Sequence, residues 1–449
     1  MAVRLYRLSV VSGRFDIIRS SISNISADQR IQVLLISFAF GAFLEGAAGF
    51  GVPIAICAAL LVQLGFKPVK AAMLSLVANA AAGAYGAIGV PVLVGAQVTG
   101  MDVLELSRSL VLILQPLTLL IPFLLVMIID GWRGLRETLP ATLVVTIVFS
   151  GVQAGVLWFM SPELADLGAG LAAMVAIFAV STVWKPKNVF REGGAPVPPR
   201  ERNSLKEIVV AWSPFYVLTL FILLWSIPAV KNLFSTGALG GTTINVAIPG
   251  LTGAITTASG NLVETTWAFA ILGATGTAIL LAVIVTFFTT PQVSARQLFG
   301  ELRGTVKDLW KAIALIAIIL VLANIANFSG GSSSMGAALA AAGPVFPLID
   351  PIIGWIAVFL TGSVVNNNTL FAPLQVATAE GIHADPALLV GANTAGGTTA
   401  KVISPQSIAI AAGAVGLSGR ESEILRASIL YSLGMLAVIC VWSFVLAII

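Results

Sequence analysis

Gly41-Ala-Phe-Leu-Glu-Gly-Ala-Ala-Gly-Phe-Gly-Val-Pro-Ile-Ala55 lies in the middle of an apolar run from Ile31 to Phe66. A helix of about 20 residues crosses the roughly 30 Å hydrocarbon layer, so this run is too long for one crossing. Its glycines and Pro53 interrupt it at the centre. The pattern reads as a hairpin that enters a membrane and turns back. Irregular backbone at that depth is tolerated only where protein or a water-filled cavity satisfies it. A second run, Ile352–Ala379, is interrupted by Gly362, Asn366, Asn367, Asn368 and Pro373 and reads the same way.

The composition agrees with a membrane setting. Of 449 residues 58% are hydrophobic and only 10% charged. Water-facing domains carry about a quarter charged residues. The 43 glycines suit helices that approach one another closely in lipid. Cys57 and Cys440 both fall in apolar runs, so neither a disulfide framework nor a metal cluster is implied. One histidine without an HExxH or CxxC pattern argues against a metalloenzyme, and no cofactor is expected. The net charge of +4 comes from basic residues scattered between spans, which suits loops beside lipid better than nucleic-acid binding. The first 30 residues do not read as a charged-then-apolar secretion signal, so insertion through the chain's own spans is expected.

Nine further crossings are expected near Ala71–Gln97, Leu110–Ile129, Ala141–Met160, Gly168–Trp184, Ile208–Val230, Trp267–Thr289, Ala312–Ala326, Pro386–Gly416 and Ala427–Ile449. Five basic regions then fall on one side if the two interrupted runs are hairpins. They are Arg4 to Arg30, the loop with Arg133 and Arg136, the linker Lys185 to Glu207, the loop with Arg296, Arg303 and Lys307, and Arg420–Arg426. By the positive-inside rule that side is the cytoplasm. Asp102, Glu105, Glu163, Asp166, Glu380 and Asp385 fall in the opposite loops. Trp132, Trp184, Trp267 and Trp310 are expected at span ends, in an interfacial belt.

The two interrupted regions resemble each other. Phe43-Leu44-Glu45-Gly46 corresponds to Phe359-Leu360-Thr361-Gly362, and Asn79 with Pro91 corresponds to Asn393 with Pro405 at nearly the same displacement. With one hairpin opening from each side, this is an inverted-topology repeat, an architecture of secondary carriers. The expected organisation is an N-terminal repeat over 1–184, a cytoplasmic linker over 185–207 and a C-terminal repeat over 208–449. The second repeat has many more residues before its Phe-Leu-Thr-Gly than the first has before Phe-Leu-Glu-Gly. About 100 residues are therefore expected to be missing from the first repeat. The fold class expected is an all-α polytopic membrane protein with two re-entrant helical hairpins and broken transmembrane helices.

Two charges stand out within the spans, Glu45 at the first hairpin tip and Lys401 in Gly396-Gly-Thr-Thr-Ala-Lys-Val-Ile-Ser-Pro-Gln406. An ionised group at this depth costs a few kcal/mol or more, about 3 on insertion scales, so it faces a partner or a pathway. Lys401 can meet a substrate carboxylate, helped by the positive ends of the interrupted helices. Glu45 is the expected proton-coupling group. The plain structural alternative is that the two simply pair, and a pair that opens on protonation would serve both readings. Asn79, Tyr85, Asn366, Asn367, Asn368, Asn393, Thr398, Thr399, Ser404 and Gln406 are candidate substrate-binding residues. The bland alternative is that they only satisfy backbone freed at the breaks. Gly46, Gly49, Gly51, Gly396 and Gly397 are expected to be helix-break glycines. His383, beside Glu380 and Asp385, reads as a solvated loop residue.

Gly41 to Ala55, Gly86-Ala-Ile-Gly-Val-Pro91, Gly396 to Ala409 and the stretch ending Ile25-Ser-Ala-Asp-Gln-Arg30 together resemble the L-lactate permease family across nearly the whole chain. The resemblance implies a bacterial or archaeal cytoplasmic-membrane symporter of L-lactate, and of D-lactate or glycolate, with protons. Its partners would be a small monocarboxylate, protons and the lipid bilayer. A proton- or sodium-coupled carrier of another organic anion is the alternative. A dicarboxylate would want a second cation beside Lys401. A membrane-embedded enzyme would need a Ser/His pair, paired aspartates or metal-ligand spacing within the spans, and none is evident.

Overall fold

The computed structural model describes residues 2–49, 51–192, 203–235, 237–256, 266–291 and 293–449. Residues 193–202 of the expected linker lie outside the described residues, as do the side chains of Arg4 and Trp267. Contacts divide the chain into two compact units, Met1–Arg14 with Ala211–Met335, and Phe15–Val210 with Gly336–Ile449. Among the described residues, six helices are long and apolar enough to cross a membrane. A bent pair, Ile313–Phe328 and Gly331–Ala340 at 71°, makes a seventh. The chain is a polytopic helical membrane protein.

The first unit begins with α1 (Ala2–Val11), followed after the second unit's α2 (Arg14–Ser23) by its remaining elements later in the chain. The Arg14 guanidinium donates to the Ser213 hydroxyl at 3.0 Å and to the Thr289 carbonyl at 2.7 Å. Burial pulls its pKa below the usual arginine value. One expectation fails here. The segment read as a crossing from Trp267 begins as a strand, β2 (Thr266–Ala270), paired antiparallel with β1 (Thr243–Ala247). The Thr275–Phe288 helix that follows has 14 residues. At 1.5 Å per residue it spans about 21 Å, short of the hydrocarbon layer. Among the described residues the fold is therefore helical with one two-stranded ribbon. Trp310 lies within the Ala295–Phe328 helix, just before its apolar part Ile313–Phe328.

The second unit contains both interrupted runs. Helix α3 (Gln29–Ala47) includes a π-helical stretch, Leu34–Phe40. After residues 48–51 the chain continues as α4 (Val52–Gln63). The chain doubles back, since Cys57 Sγ donates to the Ile36 carbonyl and the Gln29 side chain to the Leu64 carbonyl, at 3.1 and 3.2 Å. The turn needs Gly49 and Gly51, whose φ of +59° and +81° are readily open only to glycine. Next come α5 (Pro68–Asn79) and α6 (Gly86–Thr99), separated by an irregular break. The 57-residue α7 (Val103–Phe159) is two arms joined at a kink at Asp130–Gly131, matching the two crossings expected there. A short 3₁₀ turn, Pro162–Leu164, leads into α8 (Ala165–Val183).

The C-terminal part of this unit repeats the theme. The Phe346–Thr361 helix, here α9, ends at Gly362 with φ +68°. The Val364–Ile382 helix, α10, then returns so that Phe346 packs on Ala379. Helix α11 (Pro386–Ala400) breaks at Lys401 and resumes as α12 (Pro405–Ala414) before the final α13 (Glu421–Ile448). Gly396 and Gly397 do not break α11. They lie within it, with Pro351 and Val358 of α9 where a side chain would stand. Gly46 likewise lies within α3, 2.9 Å from Asp166 for any added Cβ. Small residues at these three positions let backbones meet.

Candidate functional site

A cavity of about 70 Å³ lies where the two chain reversals and the two helix breaks converge. Its wall includes Glu45, Gly49 and Gly51 from the first reversal and Gly83, Gly86 and Ala87 from the first break. Gly362 to Val365 come from the second reversal, and Lys401, Gln406 and Ser407 from the second break. On this volume scale one water needs about 10–15 Å³, so the space takes about five or six water-sized groups. A hydroxy acid of two or three carbons is of that size, and a sugar acid is not.

The charges meet inside it. Lys401 Nζ lies 2.5 Å from Glu45 Oε1, and Asn79 Nδ2 donates to Glu45 Oε2 at 3.0 Å. Both oxygens of this buried carboxylate are thus engaged, one by a cation and one by an amide. The direct pairing weighed from the sequence is present. Gly86 is required beside it, because a Cβ there would overlap the Glu45 carboxylate.

Helix starts supply the other anion-attracting feature. Helices α4 and α10 begin at the cavity wall, at Gly51 and Ser363, and α12 lines it with Gln406 and Ser407 of its first turn, after the Ser404 cap. The Ser363 and Ser404 side chains cap by accepting from the Asn366 and Ser407 amides. The amides of Val364, Val365 and Gln406 fall in first turns, where no carbonyl precedes them in the helix. Three helix N-termini and one ammonium around a small space favour a carboxylate. Backbone strain adds to the picture: Ala87 and Ile88 hold φ of +50° and +64° in the wall of the first break.

The sequence-nominated residues separate into groups. Lys401, Glu45 and Gln406 line the cavity, and Asn79 holds Glu45 from behind. Asn366, Asn367 and Asn368 open α10. Asn367 Nδ2 donates to Asn393 Oδ1 at 2.8 Å, and Asn368 Nδ2 donates to the carbonyl of Pro91, a cavity-lining residue. Asn393 turns its amide to Asp350, at 3.3 Å. The Thr398 and Thr399 hydroxyls donate to the Ala395 and Gly396 carbonyls of their own helix, and neither residue lines the cavity. Ser404 caps α12, and its hydroxyl also bonds that of Ser407 at 2.9 Å. Tyr85 is fully buried at the start of α6, and its hydroxyl meets no hydrogen-bond partner.

Two acids expected in outer loops are drawn into the protein, Glu163 in the Pro162–Leu164 turn and Asp166 in the first turn of α8. Glu163 and Asp166 are buried, Asp166 to 1% exposure. The Asp166 Oδ1 accepts from Gln153 Nε2 at 3.0 Å. Asp350, at the start of α9, is also fully buried and was not nominated at all. Short acidic stretches between apolar runs read as loops when hydropathy alone is weighed. The signal available for Asp166 was Gly168-Ala-Gly170 just after it. A Cβ at Gly170 would stand 2.6 Å from the Phe43 amide nitrogen, so α8 packs directly on α3.

The chain is similar in sequence to known permeases. A family model described as L-lactate permease matches residues 1–449. An L-lactate permease of Halalkalibacterium halodurans is 46% identical over 454 residues, covering 100% of this chain and 84% of that protein. The glycolate permease GlcA of Escherichia coli K12 is 43% identical over 460 residues, covering 98% and 82%. An L-lactate permease of Bacillus subtilis strain 168 is 41% identical over 470 residues, covering 99% and 83%.

Proposed function

This chain belongs to the L-lactate permease family, and on that premise we propose that it carries L-lactate, with D-lactate and glycolate as further substrates, by proton symport across the cytoplasmic membrane. The observation that carries this reading is the Lys401–Glu45 pair in a small cavity ringed by three helix N-termini. The carboxylate of the substrate competes with Glu45 for the Lys401 ammonium. A proton on Glu45 weakens its hold, so anion binding and proton binding help each other. The Val364, Val365 and Gln406 amides take the other carboxylate oxygen or the 2-hydroxyl. Gln406 completes the polar wall, and Asn79, Asn366, Asn367 and Asn368 support it from behind. Asn393, Thr398, Thr399, Ser404 and Tyr85 hold the elements around it.

The architecture proposed is an inverted repeat over 1–184 and 208–449, joined by the linker 185–207, with α3–α4 and α9–α10 as re-entrant hairpins. The meeting of both tips and both breaks at one cavity supports it, since carriers of this kind bind substrate at discontinuous helices near the midplane. Alternating access then moves one repeat against the other around a fixed site.

The test is uptake of radiolabelled L-lactate into proteoliposomes with an imposed inward proton gradient, with glycolate, a dicarboxylate and a sugar acid as competitors. Gradient-dependent uptake, blocked by glycolate and abolished in Lys401→Ala, is expected. Uptake driven by a sodium gradient alone, or competition by the dicarboxylate in preference to glycolate, would overturn the assignment.

A further inference from the structure

We propose that Asp166 is a second proton-binding carboxylate of this site, and that it holds the transported proton in those states in which Glu45 is ionised against Lys401. The inference rests on the proton-symport reading and deepens it. Its basis is the contrast between two buried acids. Glu45 has an ammonium on one oxygen and an amide on the other. Among the described residues Asp166 has a single amide on Oδ1, from Gln153, and its Oδ2 meets no hydrogen-bond partner. A buried carboxylate without a cation or saturating donors is stable only when it carries a proton.

The surroundings tie Asp166 to the transport site. It packs directly behind Gly46, the residue after Glu45. The Gln153 amide that holds it also donates to the Ala81 carbonyl at 3.3 Å, inside the first helix break. The charged and titratable groups acting on it are Glu45, Lys401 and the Tyr85 phenol, with Glu163 one turn earlier in the chain. The Tyr85 hydroxyl and Gln153 Oε1 are likewise buried without a partner. Three unsatisfied polar atoms on residues linked in this way form a built polar site, not a stray buried group.

Charge balance explains why such a group would couple. Lys401 offsets one of the two carboxylates, Glu45 and Asp166, so the site with its proton released carries one excess negative charge. An entering monocarboxylate alone would double it. An anion entering with one proton leaves the charge as it was, with the proton forming an O–H bond on Asp166 Oδ2. On the other side of the membrane that bond breaks and the proton returns to water, so no other reactant is needed.

Proteoliposomes containing the full chain test this by the ratio of proton-gradient-driven lactate uptake to lactate counterflow. The counterflow arm needs no net proton movement. In Asp166→Asn, whose amide cannot take up or give up a proton, the ratio should fall at least tenfold. An unchanged ratio in that variant, beside a gradient-driven wild type, overturns the assignment of Asp166 and leaves proton symport standing. Wild-type uptake indifferent to the gradient removes both. If Asp166→Asn also loses counterflow, Asp166→Glu decides: coupled uptake with a displaced pH midpoint supports the site, and a wild-type pH profile overturns it.

Discussion

At the scale of single residues, the Lys401–Glu45 pair makes a prediction that separates charge from shape. Removing one partner of a buried pair leaves the other charge uncompensated, a loss of about 3–5 kcal/mol, whereas removing both together is often near neutral. Lys401→Ala should therefore be markedly less stable to heat in detergent than the double variant Lys401→Ala with Glu45→Gln. Equal melting of the single and double variants would mean that Glu45 does not depend on Lys401. Neither variant should transport, because both lack the cation for the substrate. These two residues were legible in the sequence because a charge inside an apolar run has few innocent explanations. Asp166 was not, since Pro162-Glu-Leu-Ala-Asp166 separates two apolar runs and has the composition of a loop. Only the packing of Gly46 and Gly170 shows that this segment is drawn into the protein.

At the scale of elements, the cavity depends on backbone that side chains would block. Gly49 holds φ of +59°, and a Cβ there would lie 2.8 Å from the Ala87 Cβ and 2.9 Å from the Ala87 amide nitrogen. Gly49→Ala must move either the reversal after α3 or the strained break before α6, at a cost of about 1–3 kcal/mol. The expected outcome is loss of lactate uptake with a lowered melting temperature. Wild-type uptake in Gly49→Ala would show that this approach is not needed. Gly155→Ala is the control, because its added Cβ meets nothing within 4 Å and should be tolerated. The reversals and breaks were readable because glycine, proline and asparagine interrupt runs otherwise long enough to cross. The ribbon was not. Thr266-Trp-Ala-Phe-Ala270 is apolar and continuous with the helix that follows, and hydropathy gives strand and helix the same score over so short a run. Its partner, Thr243-Ile-Asn-Val-Ala247, lies more than twenty residues away, so no local pattern announces the pairing.

At the scale of the molecule, a charge counted as a cytoplasmic loop residue organises the base of the first hairpin. Arg30 is 1% exposed and pairs with Asp28 at 2.7 Å, Asp130 at 2.8 Å and Glu137 at 2.9 Å. It also donates to the Asn188 carbonyl at 2.8 Å. The same segment is fastened by the Arg191 guanidinium on the Leu64 carbonyl at 2.8 Å and by the Glu192 amide on Gln29 at 2.6 Å. Both ends of the hairpin are thus tied to the kink of α7 and to the chain leaving α8. The positive-inside count placed Arg30 in a basic cytoplasmic segment, and spacing could not point to Asp130 and Glu137, about a hundred residues away in sequence. The anchored base thus lies apart from the tip, where Gly49 and Gly51 line the cavity. The anchor can be weighed against a neighbouring bridge. Lys70 and Glu192 meet at 3.3 Å with both side chains about one-fifth exposed, so water screens them. Lys70→Met should cost under about 1 kcal/mol. Arg30→Met strands Asp28, and because Asp130 and Glu137 reach solvent the loss should fall near the low end for a broken buried pair, about 3 kcal/mol. Thermal unfolding of the two variants in one detergent compares them directly. Arg30→Met melting as late as Lys70→Met would show that the buried cluster does not hold the hairpin base. Arg30→Met melting far earlier, with the surviving folded fraction still exchanging lactate, would place the anchor in the scaffold and the transport step at the tip.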